Sequence, residues 1–384
     1  MSKKFFPKKF HWGAATASYQ IEGGIDNNDW SMASKDGKVP ACDRATDHYS
    51  RYKEDIDLAK SLGHNSIRIS IEWSRIEPEE GKFDEKEIEH YKDVLSYIIS
   101  KDMTPFVTIW HFTLPVWFRD IGGFLNKKSP GYFARYCEYV VSELGNLCRH
   151  WATINEPVVF ATNGYIRGFW PPFEKSFRSY NRVFNNLVKA HKLSYKRIKS
   201  LDIGCELGIV KDNIYFHSNW NPFNKILAGV MSWWWNRRFL NKIHGYFDSI
   251  GLNYYFHKKF GDNSIYEKTD MDWDIYPEGI YYVIRELKQY DKPIFIAEAG
   301  IADEKDKYRG DYIKDLISNT HKAIEHGANV RGFMYWSLLD NYEWAHGFEK
   351  RFGLIEVDYK TLKRKIRPSA YEYKKICQSN SIEG

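Results

Sequence analysis

The sequence predicts an α/β chain folded as a single (β/α)8 barrel. Three observations carry that reading: eight short apolar, β-rich runs, amphipathic stretches of helical length between them, and an alternation of the two from one end of the 384 residues to the other. No repeat, linker or low-complexity segment interrupts the pattern, and barrels of this class reach this length, so one domain over residues 1–384 is expected.

The runs read as strands start near Phe10 (FHWGAAT), Ser66 (SIRISI), Thr104 (TPFVTIW) and Arg149 (RHWATIN). Four more start near Cys205 (CELGIV), Asp248 (DSIGLNYY), Pro293 (PIFIAEAG) and Val330 (VRGFMYWSLL). Helices are expected over Tyr49–Leu62, Glu85–Ile99, Gly131–Leu144, Tyr180–Ile198, Glu278–Gln289, Tyr312–His326 and Ser369–Cys377. In Tyr312–His326, for example, Ile313, Leu316, Ile317, Ala323 and Ile324 recur at helical spacing. Between Lys211 and Gly245 the pattern is unclear, although WWWNRRFL fits a helix.

The bulk chemistry narrows the function. The 56 Lys and Arg against 50 Asp and Glu give a formal charge of +6, spread along the chain. No run of like charge marks a nucleic-acid arm or a lipid-binding patch. The lysine-bearing start, Met1 to Lys9, leads into no apolar stretch of signal-peptide length. Ile226 to Trp235, the most apolar segment, is about half of what a bilayer span needs. Cys42, Cys137, Cys148, Cys205 and Cys377 are scattered and odd in number, which fits reduced core thiols better than a disulfide or zinc framework. A cytoplasmic protein with no metal or cofactor, no nucleic-acid or membrane partner, and an open oligomeric state is expected. The 17% aromatic content is compatible with a carbohydrate site, because flat rings suit the C–H faces of sugars.

In a (β/α)8 barrel, chemistry sits at the C-terminal strand ends. The fourth run ends Asn155-Glu156-Pro157 and the seventh ends Ala297-Glu298-Ala299-Gly300. A carboxylate at the tip of an apolar strand is costly to desolvate unless something uses it. Two of them facing across a barrel mouth are the pair that glycoside hydrolysis needs. Structural glutamates bonded to arginine or backbone are the bland alternative. The other strand ends supply Gln20, Arg68, His111, Asn155, Asn253 with Tyr255, and Trp336, and the last loop adds Glu343 and Trp344. Singly, each reads as packing. Together they offer sugar hydroxyls a ring of donors and acceptors.

The ordered motifs FHWGAATASYQIEGG (from Phe10), HNSIRISIEWSRIEP (from His64), HFTLP (from His111), TINEP, GLNYY and WSLLDNYEW…KRFGL resemble glycoside hydrolase family 1, the β-glucosidases and β-galactosidases. The resemblance covers nearly the whole chain. It implies Glu156 as general acid/base and Glu298 as nucleophile. It implies Gln20, His111, Asn155, Trp336, Glu343 and Trp344 as sugar-holding positions, with Arg68, Asn253 and Tyr255 supporting the nucleophile. A cation and a phenol beside Glu298 would keep it ionised, while an apolar setting and the charge of Glu298 would keep the proton on Glu156. Two stretches depart from the family pattern: Ala297 and Ala299 replace polar neighbours of the nucleophile, and Gly164–Phe173 differs on the leaving-group side.

The reading that follows is a retaining exo-β-glycosidase acting on small β-glucosides, β-galactosides or oligosaccharides. A sugar-binding barrel with attenuated turnover, or a transglycosylase, is the alternative. Some members of the family cleave 6-phosphorylated glycosides and generally carry a small or neutral residue at the position of Glu343. The carboxylate retained here is expected to select unphosphorylated sugars by repelling a phosphate.

Overall fold

The computed structural model describes residues 3–383. Each of the eight apolar runs forms one strand: β1 His11–Ala15, β2 Ser66–Ser70, β3 Thr104–Trp110, β4 His150–Asn155, β5 Glu206–Asp212, β6 Ser249–Tyr254, β7 Ile294–Ala299 and β8 Val330–Trp336. They pair in parallel and in chain order, and β8 closes onto β1 through Gly332↔His11 to Trp336↔Ala15. The strands are almost wholly buried because helices cover one face and barrel side chains fill the other. That two-sided burial explains why the runs read as continuously apolar rather than alternating.

Eight helices follow the strands: α1 His48–Ser61, α2 Glu85–Ser100, α3 Ser129–Leu144, α4 Phe177–Ser200, α5 Arg238–Ile243, α6 Gly279–Leu287, α7 Arg309–Glu325 and α8 Pro368–Ser379. Their starts follow local chemistry. Asp84 caps α2 by accepting the N–H groups of Lys86 and Glu87 at 2.9 and 3.4 Å. Helix α4 begins three residues before its apolar periodicity because Ser176 caps it through the Ser179 N–H. Its first turn is outward-facing, so periodicity alone starts the helix late.

Two differences from the sequence reading concern the site. Strand β5 runs two residues beyond its apolar run, through Lys211 and Asp212, with Asp212 in register with Asn253. Charged side chains end the apolar signal there, but the backbone ladder continues. The unclear stretch after it forms strand Tyr215–Ser218, which pairs with His257–Phe260, then helix Pro222–Ser232 and a π-helical turn Trp233–Arg237 leading into α5. Helix Pro222–Ser232 buries Ala228 while Phe223, Ile226, Leu227 and Val230 stay exposed, so apolarity and burial do not coincide on it. All five cysteines are buried and free, and no helix among the described residues is long and apolar enough to cross a membrane.

The loop leaving β8 is tied to α8 by a buried ion cluster. Asp340 accepts both guanidinium arms of Arg367 at 2.9 Å, a third bond from Arg351 at 3.2 Å and the Gly353 N–H at 2.9 Å. Removing the charge from one partner of such a pair leaves the other buried without compensation, which costs about 3–5 kcal/mol. Asp340→Asn is therefore expected to lower stability by about that amount, read as a shift of the chemical denaturation midpoint. A midpoint unchanged from the parent would show that the cluster does not anchor the loop.

Candidate active site

Glu156 follows the last residue of β4 and directly precedes helix Pro157–Thr162. Its N–H donates to the Val210 carbonyl at 2.9 Å, and Pro157 fills the first helical position, where a missing N–H costs nothing. The turn between strand and helix holds Glu156 in the left-handed region, at φ 45°. Phe112 (φ 76°) and Trp344 (φ 49°) share that conformation at the same mouth. Non-glycine residues held there cost about 1–3 kcal/mol each and concentrate where geometry serves a site.

Glu298 sits one residue before the end of β7, flanked by buried Ala297 and Ala299. Arg68, from β2, donates Nη1 to Glu298, Nη2 to Asn155 Oδ1 at 2.8 Å and Nε to Thr108 Oγ1 at 3.0 Å. The Tyr255 hydroxyl donates to the other oxygen of Glu298 at 2.5 Å. Both Glu298 oxygens thus have strong donors although no polar neighbour stands at 297 or 299. Gly300 follows without a side chain because a Cβ there would lie 1.8 Å from the Trp336 carbonyl oxygen.

Asn253 requires a correction. Grouped with the nucleophile in the sequence reading, it donates its amide to Glu156 Oε1 at 2.7 Å instead. Register explains the choice. Asn253 is level with Asp212 on one side and Glu298 on the other, and its side chain turns towards the β4 end.

The remaining residues singled out in the sequence also meet here. Asn155 donates its amide to His111 Nε2 at 3.2 Å, so that nitrogen is an acceptor and the proton of the ring sits on Nδ1, a buried donor with no protein partner. Burial, with the charge of Arg68, holds the His111 pKa well below the usual histidine value and keeps the ring neutral. The ring lies nearly parallel to both Trp336 and Trp344, with centroids 6.1 and 6.0 Å away. Gln20 spends its amide hydrogens on Asn341 and the Tyr342 carbonyl, leaving Oε1 unpartnered, and Glu343 Oε2 is unpartnered as well. Unused buried polar atoms facing one cavity are what an incoming polyol would satisfy.

That cavity has a volume of 610 Å³ and takes in both glutamates, Gln20, His111, Trp336 and Trp344. Its remaining wall was missed by sequence reasoning. Asp212 ends β5, Arg167 and Trp170 come from the stretch that departs from the family pattern, and Phe216, Met231 and Trp235 come from the unclear one. Trp170 packs on Trp344 at 5.6 Å and on Trp30 at 5.5 Å, so an aromatic cluster supports the rim. A tryptophan within a Pro-rich turn was the available signal.

The carboxyl groups have unlike surroundings. Burial pushes the Glu156 carboxyl well above the usual range, and the charges of Asp212 and then Glu298 push it further. Burial and the charge of Glu298 push Glu343 up to about 8, and no cation pulls it back. The sequence reading treated Glu343 as charged at neutral pH. The structure corrects that, because a carboxyl titrating near 8 is mostly protonated at pH 7.

A closed (β/α)8 barrel whose cavity is lined by buried carboxyl groups, polar side chains and aromatic rings fits a glycoside hydrolase. Residues 2–243 and 248–382 match glycosyl hydrolase family 1, and the chain belongs to that family. It is 35% identical to β-glucosidase A of Acetivibrio thermocellus, over the full length of both chains. It superposes on a β-glycosidase from Pyrococcus horikoshii with TM-score 0.94 and 37% identity, covering 100% of this chain and 97% of that one. It also superposes on a β-glucosidase from Thermotoga maritima in complex with glucoimidazole, with TM-score 0.93 and 33% identity, covering 98% and 99%.

Tyr255→Phe removes one donor from a buried carboxylate. A hydrogen bond to a charged group contributes about 1.5–3 kcal/mol. Turnover of an aryl β-glycoside is expected to fall roughly 10- to 100-fold with the thermal midpoint little changed. Turnover within twofold of the parent would show that Arg68 alone suffices.

Proposed function

We propose that this chain is a retaining exo-β-glycosidase, acting as one catalytic domain on unphosphorylated β-glucosides or β-galactosides. The observation that carries the reading is the unlike treatment of two carboxyl groups on one cavity. Glu298 has a guanidinium and a phenol as donors, whereas Glu156 is crowded by negative charge and holds its proton.

The roles follow from those surroundings. Glu298 attacks the anomeric carbon as the bond from that carbon to the aglycone oxygen breaks, and Glu156 gives its proton to the departing oxygen. A covalent glycosyl ester on Glu298 results. Water then attacks the same carbon, Glu156 takes a proton from it, and the ester bond breaks to return the Glu298 carboxylate. Asn253 holds Glu156 towards the cavity, and Arg68 with Tyr255 holds Glu298. Gln20, His111, Asn155, Trp336, Glu343 and Trp344 hold the sugar, the indoles against its C–H faces and the free polar atoms on its hydroxyls. Two displacements at one carbon retain its configuration.

The test is stereochemical. Proton NMR during hydrolysis of an aryl β-glucoside is expected to show the β-anomer of the free sugar first, with Glu298→Gln releasing almost no phenol. The α-anomer as first product would mean inversion and end the proposed mechanism.

Sugar choice turns on Glu343. Near neutral pH its protonated carboxyl can donate to, and accept from, sugar hydroxyls, and repulsion of a 6-phosphate is weak. Above about 8 the carboxyl ionises and faces a phosphate that is already close to a dianion. The ratio of kcat/KM for an aryl β-glucoside to that for its 6-phosphate cancels the ionisations that both substrates share. We expect that ratio to exceed one at pH 7 and to rise severalfold through pH 8. A ratio flat with pH, or below one, would show that Glu343 does not set phosphate discrimination.

A further inference from the structure

We infer that Asp212 is a positioning residue for the catalytic proton: a second carboxylate, on the strand next to Glu156, that keeps the proton on Glu156 between turnovers. This rests on Glu156 being the acid/base, as proposed above.

The backbone brings the two groups together. The Glu156 N–H is bonded to the Val210 carbonyl, and Asp212 lies two residues further along β5, on the same face as Val210. Across the next pairing, Asp212 is level with Asn253, whose amide holds Glu156 Oε1 at 2.7 Å. Glu156 and Asp212 therefore share one wall of the cavity, and each is less than 8% exposed.

Their neighbours assign the proton. Asp212 Oδ2 accepts the Trp235 indole N–H at 2.9 Å, and the buried Lys211 ammonium donates to the Asp212 carbonyl and lies 5.6 Å from the Trp235 ring. Burial pushes the Asp212 carboxyl up to about 6, with the charge of Glu298 adding to that, while Lys211 and Trp235 work against it. Lys211 itself is pushed down to about 8 by burial and supported by Asp212, Glu156 and Glu286, so it stays largely cationic at neutral pH. Glu156 has the Asn253 amide and a weaker pull from Lys211 against burial and two carboxylates, and the push from Asp212 exceeds that from Glu298. Two neighbouring buried carboxyl groups do not both ionise cheaply. Asp212 is the one stabilised as an anion, and Glu156 is left with the proton.

The arrangement suits both half-reactions. At rest the Asp212 charge keeps Glu156 protonated, ready to protonate the leaving oxygen. Once that proton has gone, two anions face each other, which makes Glu156 a stronger base towards the attacking water.

The test is the pH dependence of Asp212→Asn, whose amide oxygen can still accept from Trp235. With phenyl β-glucoside, the basic limb of kcat/KM is expected to move down by about one pH unit or more, a tenfold loss on the alkaline side, with the acidic limb in place. With 2,4-dinitrophenyl β-glucoside, whose leaving group needs no proton, kcat/KM reports only formation of the glycosyl ester, and on that quantity parent and variant are expected to match. A structural lesion would lower both substrates alike and leave the limb where it was, and that result, or an unmoved limb at unchanged rate, overturns the inference. Glu156→Gln keeps the two readings apart: its kcat/KM is expected to collapse on phenyl β-glucoside and to fall far less on the dinitrophenyl substrate, whose glycosyl ester forms without an acid. Equal loss on both would sink the acid/base assignment, and this inference with it. Should Asp212→Asn fail to fold, carboxyl carbon NMR of the parent chain decides the matter. Asp212 ionising before Glu156, with each signal sensing the other's step, supports the pairing, and the reverse order overturns it.

Discussion

The barrel mouth depends on one guanidinium. Arg68 rises from β2 and bonds groups on three other elements: Thr108 on β3, Asn155 at the end of β4 and Glu298 on β7. Through Asn155 it reaches His111, whose ring lies parallel to two indoles. With Arg68 and Glu298 both at most 3% exposed, neither charge can be left alone, since an unpaired buried ion costs about 3–5 kcal/mol. That cost ties the strand tips into one arrangement, and the sugar-facing groups inherit their orientation from it.

The same constraint decided what could be read from the sequence. Strands buried on both faces write themselves as apolar runs, so all eight were legible, and a charged or amide residue at the end of such a run is conspicuous. Glu156, Glu298, His111 and Asn155 were found that way, and Arg68 stood out as a charge inside such a run. Asp212 was hidden because Lys211 before it broke the run, although the ladder persists to Asn253. The partner of Asn253 was not legible either: one residue lies between two glutamates, and only register and side-chain direction assign it to Glu156. Helix Pro222–Ser232 failed for a different reason. Periodicity reports burial, and an apolar helix with a single buried residue has none to report.

Charge balance in the mouth links the site to its choice of sugar. Four carboxyl groups, Glu156, Asp212, Glu298 and Glu343, line the cavity, and the cations built into their support are Arg68 and Lys211. Arg68 pairs with Glu298, and Lys211 lies behind Asp212. Glu156 and Glu343 have no cation of their own, and these are the two carboxyl groups driven furthest towards the protonated form. Two anions against these two cations leave the carboxyl cluster itself close to neutral at pH 7, while the cavity lining also holds the exposed Arg167 and Lys258. A neutral sugar enters such a cavity without disturbing that balance. A phosphorylated sugar brings between one and two further negative charges; the cluster's own cations, Arg68 and Lys211, are already engaged, and the exposed Arg167 and Lys258 of the lining are the ones left to meet it. Discrimination against a phosphate, proposed above to turn on Glu343, therefore also depends on whether the phosphate would lie beside the carboxyl cluster or beside the exposed Arg167 and Lys258.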